Sequence, residues 1–436
     1  MKENIQTSSL IYDTHEHPRT VKEWVLYAVQ MLMAVFVATV LISNICGTSV
    51  DAGLLGACLG TLTYQVITKF KSPVFISNSG ATVSAVIGAL ALGTTPNYFA
   101  VFLGGLVILA IYSIFAFVIR WRGIDAINRL FPPYIVGPIT IVIGLNLAGF
   151  IPTYVDLGGA TSNINVLVAI AVMAVVALSS HYFKGFLKTI PFLIGLLFGF
   201  VVCLVLEAVG AADYGIINKF QSINGFFNIP NFAFLNWAEG LKSFNFKTLI
   251  DVILLFAPVA ICALCEHYSD HMVMSNIIGH DLTEDPGLHR TLVADGTASV
   301  IGTIFGGQPN TSYGESTAMV GFSRVASVKV VSLAAIMMGI LAFIQPVQVF
   351  INAVPSCVFG GCAMILYGYI ACSGLKTLMR NKVDLENNKN LIVVSVILTV
   401  GVSGIWLFSN SFAGVSLAMV LGIILNLILR SSKTNN

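Results

Sequence analysis

The sequence predicts an all-α polytopic membrane protein, and three observations carry that prediction. Hydrophobic residues fill 56% of the 436 positions and charged residues only 10%, with a mean hydropathy of +0.88; a soluble surface needs far more charge. Apolar runs near the roughly 20 residues that a helix needs to cross a bilayer recur from Trp24 to Arg430. The short alternating segments and regular turns of a transmembrane barrel are missing.

Taken in order, spans are expected to begin near residues 24, 52, 78, 97, 134, 164, 189, 248, 291, 313, 330, 352, 391 and 412. Fourteen spans put both termini on one side. With the N-terminus assigned to the cytoplasm, 19 of the 22 Lys and Arg residues fall on the cytoplasmic side, as the positive-inside rule requires. Lys219, Lys242 and Lys247 are left outside, together in one long loop where the rule is weak. The expected organisation is a cytoplasmic tail (1–23), spans 1–4 (24–119), spans 5–7 (131–208), an extracellular loop (209–247), spans 8–11 (248–346), spans 12–14 (352–430) and a second cytoplasmic tail (431–436). The net charge of +2 is spread over loops on two faces and implies no nucleic-acid partner. Residues 1–22 are polar and carry His15, Glu16 and His17, unlike a cleaved signal peptide, so the first span is expected to be retained. All eight cysteines lie in or beside apolar spans, where a thiol packs as a small hydrophobe, and no disulfide framework is expected.

The long loop separates two sets of seven spans. An odd number per half means that, if the halves are repeats, they insert with opposite topology. The third span of the first half opens with Ser72-Pro73-Val74-Phe75-Ile76-Ser77-Asn78-Ser79-Gly80, and that of the second with Gly307-Gln308-Pro309-Asn310-Thr311-Ser312-Tyr313-Gly314. Each reads as proline, a short polar or β-prone stretch, glycine, then helix. Proline donates no hydrogen bond and disfavours helix before it, while glycine lets backbone approach backbone or ligand. Extended chain at membrane depth is tolerated only where protein or a cavity satisfies it. Half-helices starting at Gly80 and Gly314 would aim N–H groups and positive dipole ends into such a cavity. Matched breaks of this kind point to a transporter site, whereas two unrelated proline kinks would carry no function. The second break ends in Glu315, the only charged residue between Asp295 and Arg324.

The eighth span contains Cys265-Glu266-His267-Tyr268-Ser269-Asp270-His271. Glu266 and Asp270 are one helical turn apart on one face, and His267 and His271 share a neighbouring face. Counting from Asp251, Glu266 falls roughly two thirds of the way through the bilayer. An ionisable group there costs at least about 3 kcal/mol, which marks it for function. Structural or loop-facing roles are expected of the two histidines; Asp270 fits either a polar helix end or the site.

These segments resemble the nucleobase–ascorbate transporter family (nucleobase:cation symporter-2 type), nearest to its bacterial uracil permeases. The likeness rests on Cys265-Glu266-His267, on Asp285-Pro286-Gly287-Leu288-His289-Arg290, and on Pro309-Asn310-Thr311-Ser312-Tyr313-Gly314-Glu315 with Ser323-Arg324. Phe131-Pro132-Pro133, Leu366-Tyr367-Gly368 and Lys382-Val383-Asp384 add to it. The resemblance implies two inverted seven-span repeats, with spans 1–4 and 8–11 forming a core domain and spans 5–7 and 12–14 a gate domain that carries a homodimer interface. It implies a nucleobase bound between the broken helices by Glu266 and Glu315. Gly80, Tyr313 and Gly314 would add backbone or stacking contacts, Ala38 would line the site, and Tyr367 would approach from the gate. Three departures stand out: Asp270 where some uracil permeases carry His, Gly80 where the family has Phe, and Ser323 for the usual Thr.

The chemistry agrees with that implication. Uracil presents two N–H donors alternating with two carbonyl acceptors, which two carboxylates and a few backbone N–H groups can satisfy. Carboxylates close together in a dry site cannot all ionise cheaply, so Glu266, Glu315 and Asp270 are candidates for holding a proton as coupling ion, with no metal or other cofactor. The expected function is therefore proton-coupled uracil uptake across a bacterial cell membrane, with a purine- or xanthine-type nucleobase as alternative. A divalent-metal transporter using Glu266, His267, Asp270 and His271 is the rival outside the family; it lacks a matching histidine cluster in the other half. An intramembrane thiol enzyme built on Cys262 and Cys265 lacks an ordered acid and oxyanion site.

Overall fold

The computed structural model describes residues 10–123, 132–221, 223–407 and 409–429. The tail 431–436 and Phe131 of the Phe-Pro-Pro motif lie outside the described residues. Helices near the expected spans are α1 (Val21–Cys46), α2 (Val50–Ile67), α3 (Val83–Leu90), α4 (Tyr98–Arg122), α5 (Pro133–Ala148), α6 (Ser162–Tyr182) and α7 (Pro191–Ala208). After the long loop come α8 (Phe246–Ile278), α9 (Leu288–Phe305), α10 (Gly314–Ser323), α11 (Val328–Leu341), α12 (Ser356–Arg380), α13 (Asn388–Val402) and α14 (Val415–Ile428). Among the described residues eight helices, α1, α2, α4, α5 with its short continuation to Tyr154, α6, α7, α8 and α12, are long and apolar enough to cross a membrane. The chain is a mostly helical, multi-pass membrane protein.

Local chemistry sets the ends of these helices. Thr20, Asn97 and Asn245 cap α1, α4 and α8 by accepting from the backbone N–H of Glu23 (3.2 Å), Ala100 (2.9 Å) and Thr248 (2.9 Å). Gly47 and Gly279 stop α1 and α8 in the left-handed conformation, with φ of 67° and 72°. Exposed apolar side chains run in stripes along the outer faces, such as Leu106, Ile114 and Phe117 on α4 and Leu197, Val201 and Leu204 on α7. Such stripes are solvated by lipid tails rather than water.

Packing divides the helices into two groups. In the first, α9 lies against α2 and α4, α11 against α1 and α2, and α8 against α4; in the second, α12 lies against α5, α6 and α7, and α13 against α5 and α14. Links between the groups run through α1, α3, α8 and α10. Each group is tightened by a glycine-lined crossing that brings backbones together. At α2–α9, a Cβ on Gly306 would stand 2.9 Å from Gly53 Cα and one on Gly56 3.4 Å from Gly302 Cα, while one on Gly302 would stand 2.5 Å from the carbonyl oxygen of Gln308 in the turn that follows α9. At α5–α12, a Cβ on Gly144 would meet Ala371 N at 2.6 Å.

Between the breaks lies a two-stranded antiparallel sheet, β1 (Ile76–Asn78) with β2 (Asn310–Ser312), pairing Ile76 with Ser312, Ser77 with Thr311 and Asn78 with Asn310. Ser79 N–H to the Pro309 carbonyl (2.9 Å) and Tyr313 N–H to the Phe75 carbonyl (3.1 Å) extend the ladder. The Thr61 hydroxyl donates to the Ile76 carbonyl (2.6 Å) and the Asn310 amide to the Gly56 carbonyl (2.9 Å). Extended backbone deep in the protein is thus satisfied by its counterpart from the other half and by α2. α10 begins at Gly314, as the sequence predicts, but α3 begins at Val83 rather than Gly80. The Thr82 hydroxyl donates to the Ser79 carbonyl (3.0 Å) and Val83 N–H approaches the Gly80 carbonyl (3.4 Å), closing a turn where the helix would have started.

Two cytoplasm-assigned segments are also fastened. The chain before α1 lies along the α10–α11 link, with Ile11 N–H donating to the Arg324 carbonyl (2.8 Å) and Ala326 N–H to the Tyr12 carbonyl (2.9 Å). Lys71, after α2, pairs with Asp285, before α9, at 2.7 Å, and this hydrogen-bonded ammonium holds the Asp285 carboxyl below its ordinary range. Both groups are partly exposed, so salt screens the pair.

Candidate functional site

The site forms where α8 passes the joint between β2 and α10. Glu266 and Asp270, a turn apart on α8, and Glu315, the second residue of α10, lie within electrostatic range of one another. All three are half-buried. The Ser312 hydroxyl donates to Asp270 Oδ2 (3.3 Å), and Asp270 Oδ1 lies 3.6 Å from where a Cβ on Gly314 would be. Asp270 therefore stands over the N-terminus of α10, whose first N–H groups lack partners within the helix. That gives this carboxylate a physical reason to occupy the position.

Tyr313, buried, points away from the carboxylates: its hydroxyl donates to the Asn78 carbonyl (2.7 Å) and ties the end of β1 to the start of α10. Beside it, Ser77 Oγ and Thr39 Oγ1 are 2.7 Å apart, and Asn78 donates to Ser43 Oγ (2.8 Å). These bonds fasten the sheet to α1, where Ala38 is buried one residue before Thr39. Gly80 is less constrained. A Cβ there would meet Ile42 of α1 at 3.7 Å and Ile370 of α12 at 3.6 Å, both ordinary contact distances. Gly80 thus marks the seam where the first group of helices meets α12. Tyr367, three residues earlier on α12, is buried with its ring near Tyr154 and Cys46. The structure thus gathers Glu266, Asp270, Gly314 and Glu315 around one point, with Tyr313, Ala38 and Gly80 in the layer beside it and Tyr367 on the facing helix.

A cavity of about 330 Å³ opens from Glu266 along the seam, between Cys265, Tyr268, Ser269 and Met272 of α8 and helices α5 and α12. Pro133, Val136 and Thr140 line it from α5, and Ser373, Lys376, Thr377 and Arg380 from α12.

Reading each side chain by itself in the sequence missed a buried polar chain behind the carboxylates. His267, fully buried, donates from Nδ1 to Asp295 Oδ2 of α9 at 2.6 Å, and its Nε2 is 3.0 Å from Thr291 Oγ1. His271 stacks on it with ring centroids 3.9 Å apart. Its Nδ1–H donates to the His267 carbonyl (2.7 Å), leaving Nε2 2.7 Å from the Tyr64 hydroxyl of α2. Asp295 also lies 3.4 Å from Thr311 Oγ1 of β2. Both histidines are therefore structural, holding α8 against α2 and α9, with Asp295 reaching on to β2. The signal was present: Asp295 is itself an ionisable residue inside an expected span. Asp295→Ala would leave the buried His267 N–H without its acceptor, and is expected to cost about 1–3 kcal/mol, read as a fall in the thermal unfolding midpoint of detergent-purified protein. An unchanged midpoint would show that the pair does not hold the helices.

With both histidines engaged, no group of three or more His, Cys, Asp or Glu among the described residues is placed to hold a metal ion. The eight cysteines are all free thiols, Cys262 buried and Cys265 half-buried beside Glu266.

Carboxylates gathered beside paired helix breaks inside a bundle of membrane-length helices fit a permease, a transporter rather than an enzyme, and the relatives of this chain are permeases. A model described as a permease family, Xan_ur_permease, matches residues 22–409. Uracil permease of Bacillus caldolyticus is 35% identical over 425 residues, 96% of this chain and 94% of its own. Uracil permease of Escherichia coli K12 is 34% identical, covering 92% of this chain and 90% of its own. The chain belongs to the nucleobase–ascorbate transporter family. Among solved structures, the transmembrane domain of the cyanobacterial bicarbonate transporter BicA superposes with a TM-score of 0.59 at 16% identity, covering 95% of this chain and 98% of that one. The murine anion transporter Slc26a9 in its inward-facing state gives 0.61 at 12% identity, covering 95% and 69%. These two share the fold.

Proposed function

We propose that this chain takes up uracil together with a proton across the bacterial cell membrane. The observation that carries the reading is the meeting of Glu266, Asp270 and Glu315 at the N-terminus of α10. Glu266 and Glu315 accept the two ring N–H groups, and the first-turn N–H groups of α10 serve the carbonyl between them. Three carboxylates this close favour retention of a proton by the group, which supplies the coupling ion. One positive charge moved inward through about 100 mV releases about 2.3 kcal/mol, enough for roughly 40-fold accumulation.

The two packing groups supply the moving parts. α1–α4 and α8–α11 act as the core and α5–α7 and α12–α14 as the gate, in fourteen crossings arranged as two inverted repeats with both termini cytoplasmic. The core slides against the gate as an elevator does, along the seam at Gly80 and Ile370, and two copies associate through their gates within the lipid. The family and its uracil permeases support this reading, as does the separation of the packing.

The test is uptake of labelled uracil into proteoliposomes under an inside-negative, inside-alkaline gradient. Accumulation is expected to disappear with a protonophore; persistence with the gradient collapsed would remove the proton from the mechanism. Unlabelled thymine, xanthine and guanine in the same assay rank the ring, and stronger competition by xanthine than by uracil would replace the pyrimidine with a purine.

A further inference from the structure

The cavity at the seam has a chemistry that a neutral pyrimidine does not use up. At one end stands Glu266, the acceptor for ring N–H groups. On the facing wall α12 presents Lys376 and Arg380, four positions apart and so on one helix face. Both are exposed, and among the described residues neither has a carboxylate within 4.0 Å. The acids that follow on the chain are turned to their own loop, where Asp384 accepts from Glu386 N–H at 2.9 Å. Ser373 and Thr377 line the same wall, and Ser269 and Thr140 the neighbouring ones. Cations in the last turns of α12 also suit the helix dipole and the charge bias of cytoplasmic loops, but neither effect requires them to face a cavity that reaches Glu266.

Uracil has eight heavy atoms and no charge, whereas about 330 Å³ falls in the range of pockets for larger ligands. A ligand that uses both ends carries a pyrimidine edge for Glu266 and an anion for the two cations. Arg forms paired hydrogen bonds to phosphate oxygens, and Lys supplies a point charge. We infer that the cavity binds a nucleoside monophosphate from the cytoplasm, ring toward Glu266 and phosphomonoester on Lys376 and Arg380. Such a ligand occludes the seam and competes with uracil. It is the class of product formed when an imported base is joined to a phosphorylated sugar, so the transporter would be slowed by the outcome of its own supply. This inference rests on the uracil reading above.

The experiment is displacement of labelled uracil from the purified protein by uridine 5′-monophosphate, with uridine, inorganic phosphate and ribose 5-phosphate in parallel. The nucleotide is expected to displace uracil at least tenfold better than any of the three. K376Q/R380Q is expected to weaken the nucleotide about tenfold or more while uracil affinity stays within about twofold. Failure of the nucleotide to displace uracil, equal displacement by inorganic phosphate, or indifference to K376Q/R380Q overturns the inference. Calorimetric titration of the nucleotide decides independently of uracil: binding lost in K376Q/R380Q supports the site, and no binding rejects it. Absence of uracil binding beside intact nucleotide binding would instead reject the substrate reading.

Discussion

Glu315→Gln is expected to lower gradient-driven uracil uptake by about two orders of magnitude while the protein remains inserted and folded. The carboxylate sits at the second position of α10, within electrostatic range of Glu266. As an acceptor-only group it suits a ring N–H, whereas a glutamine offers one acceptor and a competing donor. Hydrogen bonds to charged groups contribute about 1.5–3 kcal/mol each, which is roughly 10- to 150-fold in binding. Loss of a proton-holding group from the cluster adds to that, since an amide cannot take part in coupling. Glu266→Gln is expected to have a comparable effect through the other N–H. Initial uptake rates, normalised to transporter recovered in the vesicles, check both. Wild-type rates in either variant would show that the substrate is held elsewhere.

Gly302→Val should act on the fold itself. A Cβ at this position stands 2.5 Å from the Gln308 carbonyl oxygen and 2.7 Å from Asn310 Cγ, so even the first added carbon meets backbone that cannot swing aside. Relief requires moving the Gln308–Asn310 segment away from α9, which disturbs the Asn310–Gly56 hydrogen bond. Overpacking alone costs typically 1–3 kcal/mol, and an unsatisfied buried amide about 1–3 more. The expected outcome is loss of the monodisperse peak in detergent size-exclusion chromatography. Gly80→Ala is the control: its Cβ would find Ile42 and Ile370 at ordinary contact distance, and its peak should match the wild type. A Gly302→Val protein as stable as Gly80→Ala would mean that the packing of Gln308 and Asn310 on α9 is looser than Gly302 requires.

Local signals account for what was legible in the sequence. Pro309 and Gly314 break the helix by their own covalent geometry, so the start of α10 and the placement of Glu315 at its first turn followed from the residues alone. Pro73 and Gly80 signalled the other break equally well. The Thr82 hydroxyl then moved the helix start to Val83 by bonding to the Ser79 carbonyl, a side-chain choice that proline and glycine do not announce. Glu266 and Asp270 were placed on one face by helical spacing, yet nothing in that spacing showed that Asp270 would find the Ser312 hydroxyl and the end of α10. His267 and Asp295 are 28 residues apart on different helices, and their pairing is a product of packing. Periodicity reports which face of a helix is buried; it is silent on which neighbour arrives there.

The β1–β2 ladder has a consequence for how the protein is made. Tyr313 and Asn78, joined across it, are 235 positions apart. As the chain leaves the ribosome, β1 and its flanking helices enter the membrane long before β2 exists. Until then the Phe75 carbonyl and the Ser79 N–H, which bond to Tyr313 and Pro309, have no partner from the second half, and a bilayer offers none. The first half must wait with that edge wet, held by the insertion machinery, or still at the interface. The permease can therefore close its interior only after the eighth, ninth and tenth helices have been delivered, and a chain truncated before Asn310 would be left with an open seam for quality-control proteases to find.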